Sequence, residues 1–260
     1  MPIEDLTSCR LATCADFVLL RSRFKEYAWD AKDTHLLTLK YPGVIFPEGQ
    51  AWGLKQMGNL FCIDRIQRSG ARKILEVGAG FNLYFDRRLG AEYEYWMIDE
   101  AGFYEADVFA AAQKRRLHTR FVNGLLGEFS KDLSNEYFDV VFSVSVLEHL
   151  PLNRIDPACQ DMFRLLKHGG YVVHSVDLSP ASTKTHGVKY LQALRDTGFI
   201  FHSPPQIEWH FHTDPERQIL LEPLSLVYRF YGGYQEDFSA TSQNLHNFHT
   251  GTLLICGWKP

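Results

Sequence analysis

The 260-residue chain lacks a Cys-x-x-Cys pair, and its five cysteines, at 9, 14, 62, 159 and 256, do not make an even disulfide framework. They read as reduced, buried, small apolar groups, with no basic pattern around any of them to mark a nucleophile. A surplus of one charge is also lacking. Lys and Arg number 27 against 31 Asp and Glu, a formal net of -4, which gives no field for gathering nucleic acid or anionic lipid. Neither nucleic acid nor a membrane is therefore expected as a partner. Apolar runs such as 17–20 and 140–142 fall far short of the ~20 residues that cross a bilayer. The opening MPIEDLTSC has neither the basic nor the apolar region of a secretory signal. A cytoplasmic protein with small or neutral partners is expected. Repeats and low-complexity tracts are missing too. What is present is apolar residues at 45% and aromatics at 14%, enough for a core with rings left over to line a pocket. The length suits one large domain, or one domain with an appendage.

Residues 72–198 alternate strand-like and helix-like stretches, the pattern of a parallel sheet wrapped by helices. Residues 73–77 (KILEV) and 93–98 (YEYWMI) are short apolar runs that end in Gly-Ala-Gly and in Asp-Glu. Phe103, Ala106, Phe109, Ala110 and Leu117 recur near helical spacing, so a helix is expected over 103–117. Residues 119–122 make a brief third strand. The fourth, 137–144, leaves almost no polar face and is expected to be covered on both sides. Asp156-Pro157 reads as a helix start. Lys167-His168-Gly169-Gly170 reads as its end, and 171–176 as a fifth strand. Residues 225–231 and 252–258 suggest an antiparallel closing pair around a long polar loop, 232–251. Residues 1–72 read as a helical and irregular cap. It holds a helix over 47–68, carried by Leu54, Met57, Leu60, Phe61 and Ile66, and the aromatics Trp29, Tyr41 and Trp52. The core, with its closing strands and a substrate loop, takes 73–260.

The strongest chemical signal is Glu76-Val-Gly78-Ala79-Gly80. A strand that feeds a Gly-x-Gly turn lets a ligand lie against backbone where a side chain would clash. A dinucleotide fingerprint wants a third glycine at its sixth position, where Leu83 stands, and has no need of an acid at 76. That acid suits a ligand with an ammonium or sulfonium group and no pyrophosphate to repel.

With this motif, Asp99 at the second strand's exit, FDVVFSVSVLEHL over 138–150 and FRLLKHGGYVV over 163–173, the chain resembles the class I S-adenosylmethionine-dependent methyltransferases. The resemblance spans 72–198 and implies an α/β fold: a doubly wound, seven-stranded sheet with the last strand antiparallel. It implies S-adenosyl-L-methionine as cofactor, bound across the carboxyl ends of the strands by Glu76, Gly78, Ala79 and Gly80. Asp99, 19 positions after Gly80, would take both ribose hydroxyls. After FVNG over 121–124 the family usually continues with an Asp that meets the adenine amino group. Here Leu125 stands there, so the Leu125 backbone or the Asn123 side chain would substitute. Ser143, near the end of the fourth strand, is counted with the cofactor residues. Asp139 is expected to support the loop and sheet edge.

Glu148-His149 falls where the family places the methyl acceptor. His149 is thus the candidate catalytic base, since neutral imidazole can take a hydroxyl proton, with holding the turn as its alternative role. His174 and Asp177 are next in line. Relatives that hold a metal here carry a further acid three positions before the Glu, and this chain has Ser145, so no metal is expected. Glu208, His210 and His212 would share one face of a strand, but an accessible polar rim explains them as well. Nucleobase methylation is disfavoured, because Ser143-Val-Ser145 replaces the Asn- or Asp-Pro-Pro-aromatic sequence. The expected reaction is methylation of a small or medium-sized metabolite, O-methylation ahead of N-methylation. A non-catalytic scaffold that binds the cofactor is one alternative, and an aminopropyl transferase is another, though its paired acids are not evident. The cap and the 232–251 loop would cover the acceptor, with contacts of a homodimer as the cap's other use.

Overall fold

The computed structural model describes residues 7–27, 53–78, 84–100, 114, 119–178, 182–207, 221–223 and 249–260. Among these are eight strands: β1 (Ser8–Leu11), β2 (Lys73–Val77), β3 (Glu94–Asp99), β4 (Arg120–Asn123), β5 (Phe138–Val144), β6 (Leu166–Leu178), β7 (Leu221–Pro223) and β8 (His249–Trp258). They form one sheet in the order β1-β8-β6-β5-β2-β3-β4, with β7 also on β8. The strands from β2 to β6 pair in parallel, and β8 runs antiparallel to β6. β1 and β7 share the outer edge of β8, β1 against Leu253–Cys256 and β7 against His249–Gly251, so the sheet is seven strands wide. The chain runs outward from β2 through β3 to β4 and then returns to place β5 on the other flank of β2. That reversal opens a crevice at the carboxyl ends of β2 and β5, where open α/β sheets bind ligands.

Strand alternation sorts the core into two layers. Leu75, Val77, Val141 and Val172 pack with Ile155, Met162 and Leu165 of α4 (Leu152–Leu165) and with Leu191 and Leu194 of α5 (Val188–Thr197). The helices that precede them are α1 (Cys14–Arg23), α2 (Gly53–Ser69) and α3 (Tyr84–Arg88). On the other face Ile74, Val140, Phe142 and Val173 pack with Met57, Leu60, Ile63 and Ile66 of α2 and with Tyr84 and Phe85 of α3. Burial on both faces is why the central strands read as unbroken apolar runs. α1 opens with a capping box from Thr13 and Asp16. It is tied to α2 by Arg23, 2.9 Å from the buried Asp64.

Three local expectations are corrected. Ser8–Leu11 is a strand that the reading of residues 1–72 as helical and irregular did not anticipate. Its alternation, with Cys9 and Leu11 buried, is only two periods long, too short to stand out. α4 begins at Leu152, not at Asp156. Pro157 falls in the second turn, where its missing N–H forfeits one bond, to the Asn153 carbonyl, and Asp156 instead pairs with Lys189 of α5 at 2.6 Å. α4 also ends at Leu165, and Lys167 to Gly170 already belong to β6. The cation that serves the helix end comes from the far end of the chain. Lys259, 3% exposed, donates to the carbonyls of Phe163 at 2.9 Å and Leu166 at 2.8 Å. Lys259→Met is expected to cost about 1 to 3 kcal/mol in urea unfolding, since two buried carbonyls lose a charged donor. A stabilised variant would mean that desolvating the ammonium outweighs its bonds. The expected helix over 103–117 and the strand over 225–231 lie outside the described residues, apart from Lys114.

Candidate active site

Five strand ends meet at the crevice. β2 closes on Gly78, whose N–H donates to the Ile98 carbonyl of β3 at 2.9 Å. Its φ is +71°, and a Cβ there would stand 2.5 Å from Cγ1 of Val146. Glycine is thus required twice over, by conformation and by the approach of the segment that follows β5. Glu76, 3% exposed, accepts a hydrogen bond from the Tyr95 hydroxyl on β3, which fixes one carboxylate oxygen. Tyr95 had no mark in the sequence as a site residue. Parallel register puts it beside Ile74, on the same face as Glu76.

Asp99 ends β3 opposite Asn123 of β4. Its Oδ1 accepts from the Glu100 N–H at 2.8 Å, and its carbonyl accepts from Gly124 N–H at 3.0 Å. The next turn is therefore held to the Asp99 backbone. Asn123 is exposed and Leu125 half-buried, whereas Leu126 belongs to the core. The Leu125 N–H donates to Glu128 Oε2 at 3.4 Å. Glu76, Gly78, Asp99 and Asn123 are brought to one edge of the sheet in strand order. Ala79 and Gly80 lie outside the described residues.

Ser143 follows Phe142, the partner of Glu76, and so lies at the same edge, but its side chain is turned into the sheet. It has no exposure, and its hydroxyl is 2.9 Å from His174 Nδ1 inside the sheet. Neighbouring parallel strands pair Ser143 directly with His174, so its polarity is consumed between β5 and β6. His174 is likewise wholly buried, and burial lowers its pKa to about 3. Asp139 sits at the other end of β5, where Oδ2 accepts from the N–H groups of Arg72 at 2.9 Å and Lys73 at 2.8 Å, a structural tie of β5 to β2.

Past β5, Ser145 has a φ of +53°, and its N–H donates to Ser175 O at 2.8 Å. A short 3-10 turn, Leu147–His149, follows. His149 is exposed there, while Leu147 is buried and Glu148 half-buried. Burial first, and then the negative charge of Asp177, push the Glu148 carboxyl well above the usual carboxylate range, against smaller opposing pulls from its own backbone N–H, from Lys55 and from the Asp177 backbone. Asp177 near the end of β6 accepts a hydrogen bond from the Thr252 hydroxyl at 2.5 Å. Lys55 and Asp177, which belong to segments far from the glycine motif, carried no sequence signal that linked them to Glu148. Among the described residues no group of three His, Cys, Asp or Glu side chains is placed to hold a metal ion. Glu208, His210 and His212 lie outside those residues, as do Trp29, Tyr41, Trp52 and most of the 232–251 loop.

Comparison with known proteins places this geometry. Residues 75–174, from β2 through the middle of β6, match the family described as methyltransferase domain. The cyclase SpnF superposes over 98% of this chain and 99% of its own, with a TM-score of 0.54 at 16% identity. A protein of Bacillus halodurans C-125 assigned to the methyltransferases covers 75% of this chain and 96% of its own, with a TM-score of 0.51 at 14% identity. At these identities the two structures speak to the fold alone. Comparison with curated protein sequences finds no match. The matched span, residues 75–174, holds the Gly78 turn, Asp99 and the Glu148-His149 turn in one continuous stretch, and over that span the chain is similar to the methyltransferase domain family.

Proposed function

We propose that the protein binds S-adenosylmethionine in the crevice between β2 and β5 and methylates a small or medium-sized metabolite, at oxygen in preference to nitrogen. The observation that carries this reading is the convergence of Glu76, Gly78 and Asp99 on adjacent strand ends at the sheet's reversal. The residues present fit the cofactor. Asp99 offers a carboxylate for two ribose hydroxyls, the Gly78 turn keeps side chains off the methionine portion, and Asn123 with the Leu125 backbone stands where the adenine edge belongs. When bound, the cofactor supplies a methyl group on a cationic sulfur. The chain's own task is to align the acceptor, exclude water and take up the acceptor's proton. The proton acceptor is read to lie in the Leu147–His149 turn, with His149 the sequence's candidate.

The partners in this reading are a small-molecule acceptor and, through the N-terminal segment, a second copy of the chain. Nucleic acid and membranes have no part in it. No helix of the described residues is long and apolar enough to cross a membrane, and the proposed place of action is the cytoplasm. One second reading is kept, a domain that binds the cofactor without transferring its methyl group; the fold is shared over nearly the whole chain with SpnF, a cyclase.

Calorimetry with S-adenosylhomocysteine, followed by an acceptor screen read by the mass gain of one methyl group, separates the two. Stoichiometric binding with no methylated product would favour the second reading. Within the same experiment Asp99→Ala is expected to weaken S-adenosylhomocysteine by about 2 to 4 kcal/mol, the loss of a charged partner to two hydroxyls. Unchanged affinity would remove Asp99 from the site.

A further inference from the structure

Near the carboxyl ends of β5 and β6 several buried polar atoms are left without hydrogen bonds. Ser145, 7% exposed and held at positive φ, has a hydroxyl with no partner. Three residues on, Oε2 of Glu148 is buried and unpaired. Helix α2 lies over this edge in a direction that its contacts define. Cys62 Sγ reaches the Ser143 and Val173 carbonyls at 3.9 and 4.0 Å. One turn earlier a Cβ on Gly58 would stand 2.3 Å from Ser175 Oγ. Earlier again, Lys55 acts on Glu148. The helix thus runs with its N-terminal end toward the strand exits. Asn59, one turn from Lys55, is wholly buried, and neither Nδ2 nor Oδ1 has a partner. Buried polar groups are seldom left this way, and a set of them at one strand edge points to a ligand.

We propose that Asn59, Ser145, Glu148 and Asp177 form the acceptor subsite, that it takes a hydroxyl-bearing compound, and that Glu148 receives the hydroxyl's proton. This rests on the methyltransferase reading above and names its substrate class. The class follows from the donors and acceptors available. Asn59 and Ser145 each offer one of both kinds. A hydroxyl gives and accepts, so a compound with adjacent hydroxyls can satisfy the amide and still present a proton to Glu148. An ammonium only donates, leaves Asn59 Nδ2 unpaired and brings positive charge toward Lys55. In the reaction a lone pair of the acceptor oxygen forms the carbon–oxygen bond as the carbon–sulfur bond breaks. That bond's electron pair stays on sulfur, which becomes a neutral thioether, and the hydroxyl proton passes to Glu148 Oε2. A carboxyl held above its usual range by burial and by Asp177 is a stronger base once ionised. His149, in the same turn, is the competing base.

The test uses the full chain, S-adenosylhomocysteine for binding and S-adenosylmethionine for turnover, with catechol and glycerol as hydroxyl probes and ethylamine as the amine. At least one hydroxyl probe is expected to bind the S-adenosylhomocysteine-loaded protein in calorimetry and to gain a methyl group, and ethylamine to do neither. Glu148→Gln is expected to keep S-adenosylhomocysteine affinity within about twofold while methyl transfer falls roughly a hundredfold or more. A readout independent of turnover comes from stability. A carboxyl whose folded pKa is raised costs nothing at low pH, costs stability as pH rises above the ordinary carboxylate value of the unfolded chain, and stops costing more once pH passes its raised folded value. Glu148→Gln should therefore melt above wild type at pH 8, by a margin that shrinks toward pH 5. Binding of ethylamine alone, or of none of the three probes, overturns the substrate class. Binding of a hydroxyl probe without methyl gain, full-rate Glu148→Gln, a melting margin independent of pH, or a hundredfold loss confined to His149→Ala overturns the role of Glu148. Failure of wild type to bind S-adenosylhomocysteine brings down the methyltransferase reading instead.

Discussion

Gly78→Val is expected to abolish S-adenosylhomocysteine binding in calorimetry and to lower stability in urea by roughly 2 to 5 kcal/mol, two effects with one origin. At φ +71° a β-branched residue pays about 1 to 2 kcal/mol for the left-handed conformation alone. Its Cβ would also stand 2.5 Å from Val146 Cγ1 and 2.8 Å from Cγ2, which adds an overpacking cost of about 1 to 3 kcal/mol. From the motif alone the new side chain would be expected to fill the cofactor's space and leave the fold intact. The geometry says that Val146 is met first. Relief then requires the Gly78 turn and the exit of β5 to separate, and both border the crevice. The double variant Gly78→Ala/Val146→Ala separates the contributions, because it removes the contact and keeps the dihedral cost. It should recover all but about 1 to 2 kcal/mol of stability. A Gly78→Val chain that unfolds at the wild-type urea concentration would show that neither the dihedral nor Val146 constrains the turn.

The parts of this architecture that could be read from the sequence are those whose environment leaves a periodic mark. β2, β3, β5 and β6 are buried on both faces, so their residues form short apolar runs, and the exits of β2, β3 and β6 are marked by a glycine or an acid: Gly78, Asp99, Asp177. These marks are enough to place the sheet. Features decided by partners distant in sequence were not legible. β1 exists because Ser8–Leu11 pairs with residues 253–256, almost the full chain length away. The end of α4 was misread because its cation is Lys259, not the adjacent Lys167. Lys167 turns instead to Asp139. Ser143, near the end of the fourth strand, reads as a cofactor residue, but the pleat sends its hydroxyl to His174. The unpaired amide of Asn59 left no trace, since a single Asn in an apolar helix reads like any other polar position.

The same pleat makes His174 the basis of an acid-stability prediction. The ring is wholly buried on β6, with Nδ1 at 2.9 Å from the Ser143 hydroxyl. Its Nε2 has no partner, and its ring meets Tyr190 edge-on with centroids 6.0 Å apart. Nothing there solvates an imidazolium, so burial drives the pKa from 6.5 to about 3. The unfolded chain therefore binds a proton on His174 below pH 6.5, and the folded chain does not until about pH 3. Stability present above the unfolded value is lost as pH falls through that window, by up to about 5 kcal/mol at its lower end. His174→Phe removes the titration. At neutral pH it should be somewhat less stable than wild type, by about 1 kcal/mol, because Ser143 loses its partner. Adding Ser143→Ala should recover that loss. Between pH 6.5 and 4, however, both variants should lose less stability than wild type, so that the curves of unfolding free energy against pH converge or cross. Parallel curves over that range would mean that His174 takes up its proton in the fold as readily as in the unfolded chain, so that burial does not hold the imidazole neutral.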